Sequence, residues 1–518
     1  MSTNHSATGY SPPTVEYIED DEEEEYFPSL LQTATGHGDL HEDDSHGKQH
    51  GQASLGSSIS NLSNTILGAG ILAMPHAIRN DGVVLGFFVI VFSGFTSGFG
   101  LFLQYRCSRY VERGSASFFA VAQRTYPQLA GLFDAAIAIK CYGVGVSYMI
   151  IIGDLMPQVI VDFFYSTTDE LPESILFSRH FWISVFMVAL IPLCFMRKLD
   201  SLRYTSIVAL FAIGYLTCLV ISHWFVGDTI EYRGEISLGP KSLISVLTSL
   251  PIIVFGFTCH QNMFSVVNEL RDNRPASVLT VIMSSIGLAV VLYSVVGLTG
   301  YLSFGDNVGG NISSMYSTSV WSAIGRAAIV ILVLFSFPLQ AHPCRASVDH
   351  IFAHILKPWA TRTPAPSPTS SRPGHAVIPT RRFYTITALI MGLTYLVAMT
   401  VSSLEAVLAF VGATGSTSIS FILPGLFGYK LLGSPYYLPV YSPAVDDETN
   451  IDSTSTFDSA VHLPDSPDEA RTKLRGEYGE GYYIKYGSLA LACWGILVMV
   501  LCLSSNFYTL YVLEEERK

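Results

Sequence analysis

Eleven stretches of this chain approach the length of a bilayer-crossing helix, and this recurrence limits the fold more than any other feature. A hydrocarbon core needs about 20 mostly apolar residues per helix. The stretches run over residues 56–79, 83–107, 130–164, 180–196, 205–226, 242–268, 276–302, 321–345, 383–403, 405–431 and 486–511. The third is long enough to continue beyond the membrane, and the fourth is short. Composition agrees, with 49% apolar and 14% charged residues against about 25% charged in a soluble domain. The expectation is an all-α polytopic membrane protein with eleven transmembrane helices.

Charge in the connecting segments gives the expected orientation. With eleven spans, alternate loops share a side. The side holding the N-terminus carries 21 of the 29 Lys and Arg residues, the other side seven, and Lys140 lies within a span. The positive-inside rule then places the N-terminus in the cytosol and the C-terminus in a lumen or outside the cell. The net charge of −13 is mostly local. Residues 1–53 hold twelve acids and one base, Lys48. The run from Glu19 to Glu25 reads as a solvated, disordered acidic tail, a candidate surface for cytosolic regulators. Residues 54–432 read as the core, helices one to ten, interrupted by a Pro/Ser/Thr-rich flexible cytosolic loop at 357–382. Residues 433–483 read as a disordered cytosolic loop, and 484–518 as the eleventh helix with a short tail. The sequon at Asn311 falls on the non-cytosolic side, where glycosylation is allowed; those at Asn4 and Asn61 fall in the cytosol and the membrane.

Several classes of function are excluded. No basic patch suggests nucleic acid. The eight cysteines have no CxxC spacing and read as small core residues, giving no metal centre. The chain begins without a basic region followed by an apolar one, so no signal peptide is expected. There is no Walker A sequence, HExxH motif or nucleophile elbow, so neither ATP-driven pumping nor an enzyme is expected, and no cofactor.

Segments one and six carry the chemistry. Segment one places Gly68-Ala69-Gly70 near its centre, preceded by Asn61, Ser63, Asn64 and Thr65. Small residues allow close helix packing, but polar residues inside a span are usually functional, and unwound backbone survives in a membrane where it lines a cavity. Segment six reads Leu250-Pro-Ile-Ile-Val-Phe-Gly-Phe-Thr-Cys-His-Gln-Asn-Met-Phe264. Pro251 withholds an N–H, and Gly256 with the polar run Thr258 to Asn262 interrupts the apolar stretch. The alternative is a helix ending in the headgroups at His260 to Asn262. The two interrupted segments lie five spans apart. Five is odd, so segments 1–5 and 6–10 would be inverted in topology. Paired broken helices in inverted repeats mark a binding site near the midplane.

The run SNLSNTILGAGILAMPHAI in segment one and PIIVFGFTCHQNMFSVVNEL in segment six resemble the amino acid/auxin permease family, and KCYGVGVSYMIIIGDLMP in segment three agrees. Within that family the runs are most similar to fungal vacuolar amino acid transporters and related animal neutral amino acid transporters. The resemblance spans about Ser57 to Leu432 and resumes in segment eleven. It implies a LeuT-like 5+5 inverted repeat plus one extra helix and secondary active transport of amino acids by alternating access. The half-helix beginning near Gly70-Ile71 would offer free N–H groups and partial positive charge to a substrate carboxylate. Exposed carbonyls near Gly68 and in segment six would take the ammonium, Ala69 would belong to the same substrate site, and Thr258, Cys259 and Gln261 would line the side-chain pocket.

For ion coupling, the resemblance points to Asn64, Leu67 and Ser336, a candidate sodium site between segments one and eight. The vacuolar members use protons, which is the favoured coupling, and His260 is the candidate that titrates near neutral pH. A lone histidine also serves as a hydrogen-bonded structural residue. Lys140 reads either as a fixed charge replacing a cation or as a structural charge paired with a carboxylate or carbonyl; Asp134 lies close to two turns away. Glu269 beside Arg271 reads as an interfacial ion pair or gate. The second class of function is an amino-acid-sensing transceptor that signals to cytosolic partners. A vacuolar or lysosomal membrane is favoured over the plasma membrane, although Tyr26-Phe-Pro-Ser-Leu-Leu31 fits neither usual spacing of a sorting signal.

Overall fold

The computed structural model describes residues 51–165, 174–196, 205–356, 378–434, 437, 439–440 and 467–516. The acidic run, the Tyr26–Leu31 motif, the Asn4 sequon and residues 357–377 and 441–466 lie outside the described residues. Regular structure among the described residues is helical, apart from one isolated parallel bridge between Ala53 and Leu270.

The first apolar stretch forms two helices, α1 (Leu55–Ile66) and α2 (Gly70–Asp81). Then come α3 (Val83–Ser108), the short α4 (Phe118–Thr125), α5 (Ala130–Phe164), α6 (Arg179–Cys194) and α7 (Thr205–Val226). The sixth stretch is again divided, into α8 (Leu243–Gly256) and α9 (His260–Glu269). It is followed by α10 (Pro275–Phe304), α11 (Val320–Leu356) and α12 (Thr380–Thr400). The tenth stretch starts as α13 (Leu404–Val411), widens into π-helical turns at Gly412–Ser416 and Ser418–Ile422, and ends as α14 (Leu423–Leu431). The last helix, α15, spans Pro467–Glu516.

Nine spans among the described residues are long and apolar enough to cross a membrane. The other two expected spans fall short on length. α6 has 16 residues, and the interruption leaves α1 and α2 with 12 each. Large apolar side chains stand on the outside, with Phe95 of α3 71% exposed and Phe211 of α7 75% exposed. Exposure of that size is a cost in water and none in lipid. α5 and α11 pair along the centre. α2 packs against α8 and α10, α1 packs against α10 and α7, and α7 also reaches α11. The largest apolar cluster links α1, α2, α5, α8 and α10.

A buried charge pair joins the central helices. Arg326 of α11 meets Asp162 of α5, and its Nε and Nη2 also donate to the carbonyls of Ser313 at 3.1 Å and Tyr316 at 2.5 Å. Three details depart from the sequence reading. α15 begins at Pro467, inside the stretch 433–483 expected to be disordered. Pro467 suits a first helical position. The end of the expected tail is attached. The Ala53 N–H donates to the Glu269 carbonyl at 2.8 Å, and the Arg271 N–H donates to the Ala53 carbonyl at 3.0 Å. What Glu269 and Arg271 hold between them is this backbone contact. Asn311 of the sequon is buried, and its Oδ1 accepts from the Ser313 N–H at 3.1 Å.

Candidate functional site

The two helix interruptions meet. In the first, α1 ends at Ile66 and Leu67 leaves the helical region with ψ of 77°. The Leu67 N–H still reaches Ser63 O at 2.8 Å, and the Gly68 N–H reaches Ile66 O at 2.9 Å. α2 then starts with no side-chain cap, its Ile71 and Leu72 N–H groups reaching back to Gly68 O and Ala69 O only at 3.3 Å each. In the second, α8 ends at Gly256, the Thr258 N–H turns back to Phe255 O at 3.0 Å, and α9 begins after Cys259, also without a side-chain cap. Each interruption therefore presents the open N-terminus of a half-helix, where N–H groups lack intrahelical acceptors.

Tyr293 of α10 ties the two together. Its hydroxyl, fully buried, is shared between Ile66 O at 2.6 Å and Gly256 O at 2.9 Å, the final carbonyls of α1 and α8. Backbone contact seals the join. A β-carbon on Gly70 would stand 2.7 Å from Gly256 Cα, so glycine is required there by close approach. Gly68 differs: the nearest atom to a β-carbon there is the Tyr148 hydroxyl of α5, at 3.4 Å. Tyr148 in turn stands near Ser336 of α11.

A polar chain leads away from the second interruption. Thr258 Oγ1 donates to Val254 O at 2.7 Å, and Ser420 Oγ lies 3.3 Å from Thr258 Oγ1 and 3.1 Å from His260 Nδ1. His260 Nε2 lies 3.1 Å from Ser97 O of α3. A carbonyl only accepts, so Nε2 carries a proton. Ser420 belongs to the second π-helical segment, and π turns inside α-helices often accompany functional sites.

The predicted residues divide as follows. Gly68, Ala69, Gly70 and Ile71 stand at the first interruption, and Thr258 and Cys259 at the second, with His260 and Gln261 opening α9. Gln261 is buried with neither amide atom hydrogen-bonded among the described residues. The candidate ion ligands are less closely joined. Asn64 Nδ2 donates to Ser206 Oγ of α7 at 3.2 Å and its Oδ1 is buried and unpartnered among the described residues, whereas Ser336 stands near Tyr148. Leu67 lies in the first interruption. Lys140 is buried with Gln340 Oε1 of α11 at 3.4 Å, and Asp134 instead meets His350 at 3.5 Å. Sequence reasoning missed Tyr293, Tyr148, Ser97 and Ser420. The available signal was the run Gly412-Ala-Thr-Gly-Ser-Thr-Ser-Ile-Ser420, rich in small and hydroxyl residues within a span.

Two interrupted, uncapped helices joined inside the helical bundle bring N–H and carbonyl groups together, an arrangement that can hold a polar guest. Comparison with known proteins gives the family. The family model described as transmembrane amino acid transporter protein matches residues 51–437. The chain belongs to that family. It is 42% identical over 458 residues to vacuolar amino acid transporter 5 of Schizosaccharomyces pombe, covering 88% of this chain and 95% of the relative. It is 40% identical over 485 residues to vacuolar amino acid transporter 6 of Saccharomyces cerevisiae, covering 88% and 98%. Sodium-coupled neutral amino acid transporter 7 of Xenopus laevis is more distant, at 28% identity over 70% of this chain and 78% of the relative. Among solved structures, MhsT in complex with L-phenylalanine superposes with a TM-score of 0.54 at 13% identity, covering 88% of this chain and all of that one. The chain therefore has a LeuT-like structural neighbour, and it is a multi-pass membrane protein of a transporter family rather than an enzyme.

Proposed function

We propose that this chain is a secondary active transporter that moves amino acids across the vacuolar membrane by alternating access. In this reading it has eleven spans, the first ten arranged as a 5+5 inverted repeat, with the N-terminus in the cytosol and the C-terminus in the lumen. The observation that carries the reading is the contact between the two interruptions, with Tyr293 shared between the last carbonyls of α1 and α8. The likeness of the fold to MhsT and the vacuolar names of the yeast relatives support it.

The substrate carboxylate meets the N-terminus of α2 at Gly70 and Ile71, where the half-helix dipole favours negative charge. The ammonium is held by carbonyls near Gly68 and Ala69. The side chain lies toward Thr258, Cys259 and Gln261, whose buried amide has no hydrogen bond among the described residues. Coupling is to protons, with His260 as carrier. Ser420 has one hydroxyl proton for two acceptors, His260 Nδ1 and Thr258 Oγ1. A second proton on the imidazole completes the set, because Nδ1–H then donates to Ser420 and Ser420 donates to Thr258. Sodium between Asn64, Leu67 and Ser336 is the competing choice, and the acidic tail remains a candidate contact for cytosolic regulators.

The test is flux. Purified protein in liposomes is offered labelled amino acids under a pH gradient and then under a sodium gradient. Saturable uptake driven by the pH gradient is expected. Folded protein that moves no amino acid under either gradient would overturn the reading in favour of a sensor. Uptake driven only by sodium would overturn the coupling assignment alone.

A further inference from the structure

Three spans end together on one side of the bundle, and each ends on a base. Gly428 of α14 marks the junction: a β-carbon there would clash with Ser488 Oγ of α15 and stand 3.5 Å from Leu103 Cδ2 of α3. One step nearer α3, a β-carbon on Gly487 would stand 3.1 Å from Phe99 Cζ. Moving outward from this junction, Arg106 lies three residues beyond Leu103, Lys430 two beyond Gly428 and Lys485 three before Ser488. All three stand at the edge of their apolar stretches, which is the level of lipid headgroups.

Each base rests on an aromatic ring. Arg106 Cζ is 5.9 Å from the ring centre of Phe102, Lys430 Nζ is 5.7 Å from that of Tyr126, and Lys485 Nζ is 5.3 Å from that of Tyr429. The rings are neighbours. Tyr429 is within electrostatic range of Tyr126 and of Tyr486, and Phe102 shares an apolar cluster with Ile484, the residue before Lys485. A ring occupies one face of a cation and leaves N–H donors on the other. Among the described residues none of the three bases is ion-paired, whereas Arg274, an exposed base on the same side, has Asp272 at 3.1 Å. Basic side chains held at headgroup level without carboxylates leave the anion to come from the bilayer.

We infer that Arg106, Lys430 and Lys485 form a binding site for the headgroup of an anionic phospholipid that carries phosphate monoesters, of the phosphorylated inositol type. Three cations on one rim match several phosphate charges better than a headgroup with one. The guanidinium can take a phosphate through two N–H groups, and the two ammonium groups act as point charges. In the orientation proposed above the site faces the cytosolic leaflet. It involves neither the cargo nor the coupling ion. A lipid held there bridges α3, α14 and α15, so its binding should stabilise the fold.

Purified full-length protein in detergent is titrated with short-chain phosphatidylinositol bisphosphate, phosphatidylserine, phosphatidylcholine and soluble inositol trisphosphate. Thermophoresis reads binding, and thermal unfolding reads stabilisation. The bisphosphate lipid should bind saturably, at least about tenfold more tightly than phosphatidylserine, and should raise the unfolding temperature. Arg106→Gln, Lys430→Gln and Lys485→Gln should each weaken it about fivefold, and the triple variant about a hundredfold. Arg274→Gln should bind like the wild type. A wild type that binds the bisphosphate lipid no better than phosphatidylserine would overturn the proposal, and this comparison decides the matter if a variant does not fold. An equal loss in Arg274→Gln would overturn it in favour of a diffuse positive field. Inositol trisphosphate that binds as tightly as the lipid would overturn the lipid assignment.

Discussion

Replacing Tyr293 with phenylalanine deletes one hydroxyl and leaves the ring that packs against Phe257, with centroids 5.1 Å apart, in place. Two carbonyls lose a donor. Ile66 O keeps the Gly68 N–H at 2.9 Å, so the larger loss falls on Gly256 O. Leaving one buried acceptor unpaired costs about 1–3 kcal/mol. If the tie persists through the transport cycle, the variant loses stability by that amount and keeps its rate. If the tie is made in one state and released in another, the same energy shifts the balance between states by about 5- to 150-fold, and the exchange rate changes accordingly. Thermal unfolding in detergent and counterflow in liposomes separate the two. Tyr142→Phe, a half-buried tyrosine of α5, is the control. A Tyr293→Phe protein that melts and exchanges like the wild type and the control would refute the claim that this hydroxyl joins the interruptions.

Other substitutions follow from single distances. Gly68→Ala places a β-carbon in ordinary contact with Tyr148 and should melt close to the wild type, while Gly70→Ala, at 2.7 Å from Gly256 Cα, should lose about 1–3 kcal/mol on thermal unfolding. Arg326→Ala leaves Asp162 buried without its cation, and the carbonyls of Ser313 and Tyr316 without their donor. A loss of about 3–5 kcal/mol is expected, seen as a collapse of the folded peak in size-exclusion chromatography. Asp272, between α9 and α10, accepts from Ser277 and from the N–H groups of Arg274, which holds its carboxyl below the ordinary value of 3.8. A lowered carboxyl value stabilises the fold above 3.8, and that contribution disappears as pH falls through the lowered value. Asp272→Asn should therefore lower stability across the neutral range and flatten the acid limb of the stability profile below about pH 4.

How much of this could be read from the chain depends on the kind of signal. Apolar length marks spans because lipid forces the backbone to satisfy itself, and the helices follow the expected stretches closely. The interruptions were legible because glycines with polar neighbours, and a proline seven residues before the polar run Thr258 to Asn262, are costly in a membrane without a role. Gly70 was read as a substrate contact, yet its β-position faces Gly256, so packing alone accounts for glycine there. The N–H of Gly70 and the space above its β-position are separate questions that a sequence does not distinguish. Tyr293 and Tyr148 were not legible. Each is an aromatic residue in an apolar helix, and its importance comes from the two carbonyls or the one serine that the fold brings to its hydroxyl. Lys140 was legible as an anomaly, but only the structure could show that an amide, rather than Asp134, stands beside it.

The central claim is that an amino acid binds between the two interruptions, in a space that opens to one side at a time. Cys259 lies inside that join, buried, and is one of eight cysteines. With the other seven replaced, its alkylation by a small maleimide in proteoliposomes measures access to the site directly. Slow labelling that a transported amino acid suppresses in proportion to its affinity is expected. Labelling that saturating substrate leaves unchanged would contradict the account.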